Sequence, residues 1–139
     1  MYLNQLHIPD GFTTELITIA DAPSMTAGYQ AAMNESDAKY KIYLHQDVFI
    51  LYPYFLDSLV EIFQISSHIG MIGMAGTDVF PEDYMMWSQS LVGNICSKSG
   101  PPCDYKNYRY KLEDSFSVMD AIDGLLIATA YDLPWRTDL

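Results

Sequence analysis

Cysteine, positive charge and long apolar stretches are all scarce in this chain. Only two cysteines, Cys96 and Cys103, occur in 139 residues, too few for a disulfide framework and without zinc-ligand partners at useful spacing. They flank Gly100-Pro101-Pro102 in an expected loop and read as free thiols in a reducing compartment. Lysine and arginine number 7 against 18 Asp and Glu, a net charge of -11. So acidic a surface repels phosphodiester backbones and anionic lipid heads, which argues against nucleic acid as a partner. A divalent cation is less opposed, since it needs oxygen ligands and can carry an anionic diphosphate into an acidic site. No signal peptide precedes the first expected strand, and polar residues break every apolar stretch short of the roughly 18 positions a membrane span requires. The cytoplasm is the default localisation. Also missing are a Walker loop, a G-x-G-x-x-G turn, H-E-x-x-H and G-x-S-x-G, which removes the familiar phosphate-loop, zinc-protease and serine-hydrolase readings.

What remains is a chain that is 50% apolar, enough to bury one continuous core as one domain or part of one. A short helical tail at residues 2–7 runs into the turn Ile8-Pro9-Asp10-Gly11. Leu16-Ile17-Thr18-Ile19-Ala20 predicts a strand, and Ser24 an N-cap for a helix over residues 25–33. Tyr40-Lys41-Ile42-Tyr43-Leu44 predicts the next strand, which delivers His45-Gln46-Asp47. After Pro53 the apolar positions Leu56, Leu59, Val60 and Phe63 fall at i, i+3, i+4 and i+7, a helix with one face committed to a sheet. Residues 69–75 and the apolar run 121–130 complete the strands, the latter a buried strand with Asp123 near its start. Between Gly76 and about Phe116 no clean period exists, but Tyr84, Trp87, Tyr105, Tyr108 and Tyr110 favour an ordered, functional loop region. Alternating strands and helices imply an α/β fold, a mostly parallel sheet with helices on its faces. Ligands in such sheets bind beyond the carboxyl ends of strands.

Asp21 and Asp47 both occupy positions of that kind. Asp47, leaving a buried strand, suits a divalent cation shared with substrate phosphate oxygens, with His45 and Gln46 beside it; equally, it suits a turn that ends the strand. Asp21 fits either a carboxylate accepting hydrogen bonds from a base or ribose, or a loop and capping role. Asp123 either faces the same cleft or pairs with a nearby base. Lys98, Lys106, Arg109 and Lys111 fall within fourteen positions among tyrosines, a phosphate or sugar clamp or, more simply, a solvated loop face. Trp87 and Trp135 read as core or loop anchors before sugar-stacking platforms.

The segments Asp21-Ala22-Pro23-Ser24-Met25-Thr26-Ala27-Gly28-Tyr29, Lys39-Tyr40-Lys41-Ile42-Tyr43-Leu44-His45-Gln46-Asp47-Val48-Phe49-Ile50 and Ile122-Asp123-Gly124-Leu125-Leu126-Ile127-Ala128-Thr129 resemble the StrF-type, family 2-like glycosyltransferases. The resemblance implies a GT-A-like (Rossmann-like) nucleotide-binding fold, with His45-Gln46-Asp47 in place of the family's Asp-x-Asp metal motif. It assigns Asp21 and Ser24 to the nucleotide-sugar side, Asp47 and His45 to Mg²⁺ or Mn²⁺, and Asp123 to the cleft near donor sugar or acceptor. It leaves the catalytic base unassigned. His45 departs from the motif, so at most one carboxylate comes from it. By the same comparison a first strand and a later acceptor-side region are missing, and residues 1–139 read as a single partial domain. The implied partners are a nucleoside-diphosphate sugar and a carbohydrate or other hydroxyl acceptor. Competing readings are an inactive nucleotide-binding or protein-interaction module, whose open sheet edge would invite self-association, and another metal-dependent α/β enzyme.

Overall fold

The computed structural model describes residues 2–80, 82–89, 91–97, 104–108 and 116–138, with backbone alone at residues 2, 94–97 and 104–108. Lys98, Cys103, Arg109, Tyr110 and Lys111 lie outside the described residues, as do the side chains of Cys96, Tyr105, Lys106 and Tyr108. The chain divides into two compact units, Met1–Met71 with Ala128–Leu139, and Ile72–Ile127.

The first unit opens on a 3-10 turn, Tyr2–Gln5, where the sequence predicts a helical tail. His7 ties this segment down. Its N–H donates to the Pro53 carbonyl at 2.8 Å, and its Nδ1 lies 2.9 Å from Asp57 Oδ2. Residues 16–20, expected as a strand, pair with no described strand, and Leu16 and Ile19 are exposed. A β-branched run becomes a strand only where a neighbour offers a ladder and a surface to pack on.

Helix α1, Met25–Asn34, begins at the expected cap, Ser24, whose Oγ accepts the Ala27 N–H at 3.2 Å. Gly28 is buried in its second turn, where a Cβ would stand 3.2 Å from Ala22 Cβ. Its missing side chain lets the loop that carries Asp21 lie against the helix. Strand β1, Lys41–Leu44, follows. Helix α2, Phe55–Ile65, starts two residues after Pro53 and buries Leu59 and Phe63 from the predicted stripe. Phe63 stacks on Tyr40 with ring centroids 5.2 Å apart. Asp57 in the first turn of α2 places negative charge at the positive end of the helix dipole. A second aromatic cluster joins Tyr29, Tyr43 and Trp135, each ring 5.0 to 5.1 Å from the other two.

The expected strand over residues 69–75 is two strands, β2 (Met71–Gly73) and β3 (Ala75–Thr77), separated at Met74. After a 3-10 turn at Met86–Ser88, the segment without a clean period contains β4 (Leu91–Ser97) and β5 (Asp104–Tyr108). The run 121–130 is also divided, into β6 (Ala121–Ile122) and β7 (Leu126–Thr129).

These strands overturn the expected mostly parallel, Rossmann-like sheet. Among the described residues two α-helices accompany two small sheets, of order β1-β7-β2 and β5-β4-β3-β6. In the second, β3 runs antiparallel to both β4 and β6, and β4 antiparallel to β5. In the first, Ala130 beyond the end of β7 donates to the carbonyl of Gly70 just before β2, and Lys41 at the start of β1 pairs with Asp132. The end of β7 therefore lies beside the starts of both neighbours, and it runs against them. The parallel expectation assumed that strands separated by a helix become neighbours; a late strand enters between them instead. Apolar content alone reports burial of that strand, never its direction.

Packing and backbone geometry set the expected cost of three substitutions. Leu59 is 4% exposed, so Leu59→Ala should cost about 2–5 kcal/mol in urea denaturation. Gly93 has φ 135°, and a Cβ there would overlap the Met74 carbonyl oxygen. Gly93→Ala should lower stability by about 1–3 kcal/mol through strain and overlap. Gly11→Ala, at φ 81° with nothing within 4 Å, should cost less than Gly93→Ala in the same urea denaturation.

Candidate functional site

In the first unit, the end of β1 and the start of α1 come together. The segment His45-Gln46-Asp47-Val48 is a β-turn, closed by the Val48 N–H donating to the His45 carbonyl at 3.2 Å. Val48 is buried beneath it, while His45, Gln46 and Asp47 are exposed. An apolar residue after three polar ones thus anchors the turn and turns the polar set outward. His45 Nε2 lies 3.1 Å from Met25 Sδ, at the first residue of α1. Ser24, next to it, is engaged as the cap, and its Oγ also lies 3.0 Å from Thr26 Oγ1. Asp21 precedes them at φ 58°, a left-handed conformation that aspartate adopts more readily than most residues. It is exposed, as Asp47 is.

Asp21, Ser24, His45 and Asp47 therefore belong to one unit, and the His45 contact joins the turn to the helix start. The Asp47 carboxylate has no hydrogen bond or ion pair among the described residues. No group of three or more His, Cys, Asp or Glu side chains converges on a metal-sized site among those residues. One carboxylate and one imidazole suit Mg²⁺ or Mn²⁺ when phosphate oxygens and water complete the shell, because these ions take few protein ligands in phosphate sites. By themselves they are too few for a closed metal cage.

Asp123 belongs to the second unit. It is half-buried, its N–H donates to the Ala75 carbonyl at 2.8 Å, and its Oδ1 accepts the Leu125 N–H at 2.9 Å. This is an Asx turn, which interrupts the apolar run. The turn borders a cleft of about 280 Å³ in the same unit, walled by Phe80, Tyr84, Met85, Trp87, Ile122 and Asp123 among others. Trp87 thus faces a cleft. Trp135 is an anchor in the Tyr29–Tyr43 cluster, with its backbone N–H donating to Gln30 Oε1 at 2.8 Å.

The loop opposite Asp123 rests on two aspartates that sequence reasoning passed over. Asp83 Oδ1 accepts the Met85 N–H at 2.9 Å and Asp83 Oδ2 lies 3.2 Å from Ser88 Oγ, while Asp120 Oδ2 accepts the Phe80 N–H at 3.3 Å. Spacing offered a signal for the first, since an aspartate two residues before a free backbone N–H is the Asx-turn pattern. The second is forty residues from its partner and leaves no local trace.

Comparison with known proteins yields one family. The model of a glycosyltransferase-like family matches residues 1–139. No curated protein and no solved structure matches the chain. A match over the whole chain, on a sequence whose three most distinctive segments form the β1 turn, the α1 start and the Asp123 turn, places this protein in the glycosyltransferase-like family.

Proposed function

We propose that the chain serves transfer of a sugar from a nucleoside diphosphate to a hydroxyl acceptor, as a StrF-type member of its family. The observation that carries this reading is the β-turn at the end of β1, which presents exposed Asp47 beside His45 at the capped start of α1. In this reading Asp47 and His45 hold Mg²⁺ or Mn²⁺ in company with diphosphate oxygens. When bound, the cation neutralises the leaving diphosphate as positive charge develops at the anomeric carbon.

The chain's own residues account for position. Ser24 caps α1 and so fixes the helix start whose partial positive charge favours a phosphate group. Asp21, held in a left-handed bend by the loop packed at Gly28, offers acceptor oxygens to ribose hydroxyls or a base. The anomeric carbon to diphosphate oxygen bond breaks as the acceptor oxygen bonds to the anomeric carbon, and the acceptor proton passes to a base that we leave unassigned.

Calorimetric titration of UDP, GDP, TDP and CDP with and without Mn²⁺ tests this reading. One nucleotide should bind in a metal-dependent manner, and Asp47→Ala should weaken it about tenfold or more, in keeping with a lost charge-assisted contact. His45→Ala should act in the same direction and leave metal-free binding unchanged. Absence of nucleotide binding by a chain with a cooperative melt would instead support an inactive interaction module.

A further inference from the structure

We propose that Met25 is a methionine oxidation site, and that its sulfoxide captures the His45 imidazole and draws it away from Asp47. The capture of His45 stands on the contact between the two side chains; its effect on nucleotide binding rests on the glycosyl-transfer reading above.

That contact is the starting point. Met25 Sδ lies 3.1 Å from His45 Nε2. A thioether accepts a hydrogen bond and never donates one, so so short a contact requires the proton on Nε2. The lone pair is then on Nδ1, which has no hydrogen bond among the described residues. Because thioether sulfur is a weak acceptor, the ring is held lightly. Both residues belong to the first unit, Met25 at the first position of α1 and His45 at the first position of the β-turn.

Oxidation changes the strength of that hold. Met25 is 44% exposed, within reach of a peroxide, whereas Met33 of the same helix is buried. A sulfur lone pair attacks one oxygen of hydrogen peroxide and the O–O bond breaks. The leaving hydroxide takes the proton of the sulfur-bound hydroxyl, giving one sulfoxide and one water, with two electrons passed from sulfur to peroxide. The new oxygen is a polar acceptor where the thioether was a weak one. An N–H···O bond needs about 2.7–3.2 Å between its heavy atoms, and a sulfur–oxygen bond does not fit in line with it inside the present 3.1 Å. The ring therefore swings outward to be held. His45 is exposed, so no buried group has to move, while burial of Val48 keeps the turn, and with it Asp47, in place. Metal ligation tolerates only about 0.2 Å of displacement, so an imidazole held by the sulfoxide is lost to a cation on Asp47. Enzymatic reduction of the sulfoxide returns it.

Peroxide treatment of the whole chain, read by peptide mass spectrometry and by ¹⁵N NMR of the histidine rings, tests the proposal without metal or nucleotide. Met25 should gain one oxygen faster than Met33, and the His45 Nε2 signal should move as its hydrogen bond strengthens. Methionine sulfoxide reductases should restore the starting spectrum. Met25→Leu should abolish the His45 response even though Met71 and Met85, both exposed, still oxidise. Met25→Gln, with an amide oxygen near the place of the sulfoxide oxygen, should reproduce the shifted ring without peroxide. In titrations with Mn²⁺ the oxidised chain should bind its nucleotide about tenfold more weakly than the reduced chain, and oxidation of Met25→Leu should change nothing. Oxidation of Met25 no faster than that of Met33 overturns the proposal, as does an unchanged His45 ring in the oxidised chain or a His45 response that persists in Met25→Leu. Metal-dependent nucleotide binding that oxidation leaves unchanged overturns the displacement from Asp47. If the reduced chain binds no nucleotide, the donor reading falls, and the mass and NMR results still decide the capture of His45.

Discussion

A carboxylate set inside an apolar run is the constraint on which the rest of this structure turns. Asp123 is the last residue to bond to β3, its N–H donating to the Ala75 carbonyl, while its Oδ1 takes the Leu125 N–H and turns the chain out of the ladder. The ladder stops there. What would have been one long strand becomes β6, paired with β3, and β7, placed between β1 and β2. A single side-chain hydrogen bond thus lets one stretch of chain serve two sheets. It also sets a carboxylate at the lip of the cleft, because the residue that breaks the strand must stay partly solvated.

Several local signals were legible where short-range chemistry decides the outcome, although the equally local Asx turn at Asp123 was not. The Ser24 cap, the α2 stripe at Leu59 and Phe63, and the strand ending before His45 all depend on residues within a few positions of one another. The other failures share a different cause. Residues 16–20 have strand composition, but forming a strand requires a partner from elsewhere in the chain. The direction of β7 depends on which edge it meets, and the aspartate at position 120 acts on Phe80, forty residues away. The segment after Gly76 concealed a hairpin for a similar reason: cross-strand pairs such as Gly93 with Tyr108 have no fixed sequence offset.

The candidate site divides in the same way. The β-turn after β1 was one of two open readings for Asp47, and the structure shows that a turn and an exposed carboxylate are compatible. The turn aims the polar trio outward, and burial of Val48 holds it there. Met25 against His45 and Asp120 against Phe80 were not legible, because neither contact leaves a trace in local spacing, whereas the Asx pattern at Asp83 was a readable signal that went unread.

The acidic balance takes on a different meaning once the partners of the aspartates are known. A net charge of -11 suggests a diffuse attraction for cations, but much of that acid is already engaged. Asp57 meets His7, Asp132 meets Lys41 and Asp138 meets Arg136, which holds its carboxyl below the usual aspartate range. Asp83, Asp120 and Asp123 accept backbone N–H groups and brace loops. Aspartate suits that task because its short side chain reaches its own neighbouring amides without bringing a long stem to be ordered. Bulk charge is therefore a poor guide to where a cation would settle. Among the described residues Asp47 is an exposed, unengaged carboxylate in a hydrogen-bonded turn, which is why the proposed function places the cation there. In the proposed function, selectivity for a phosphate-bound ion would follow from the small number of protein ligands rather than from a strong field: a site with one carboxylate and one imidazole would hold a cation poorly until diphosphate oxygens completed its shell.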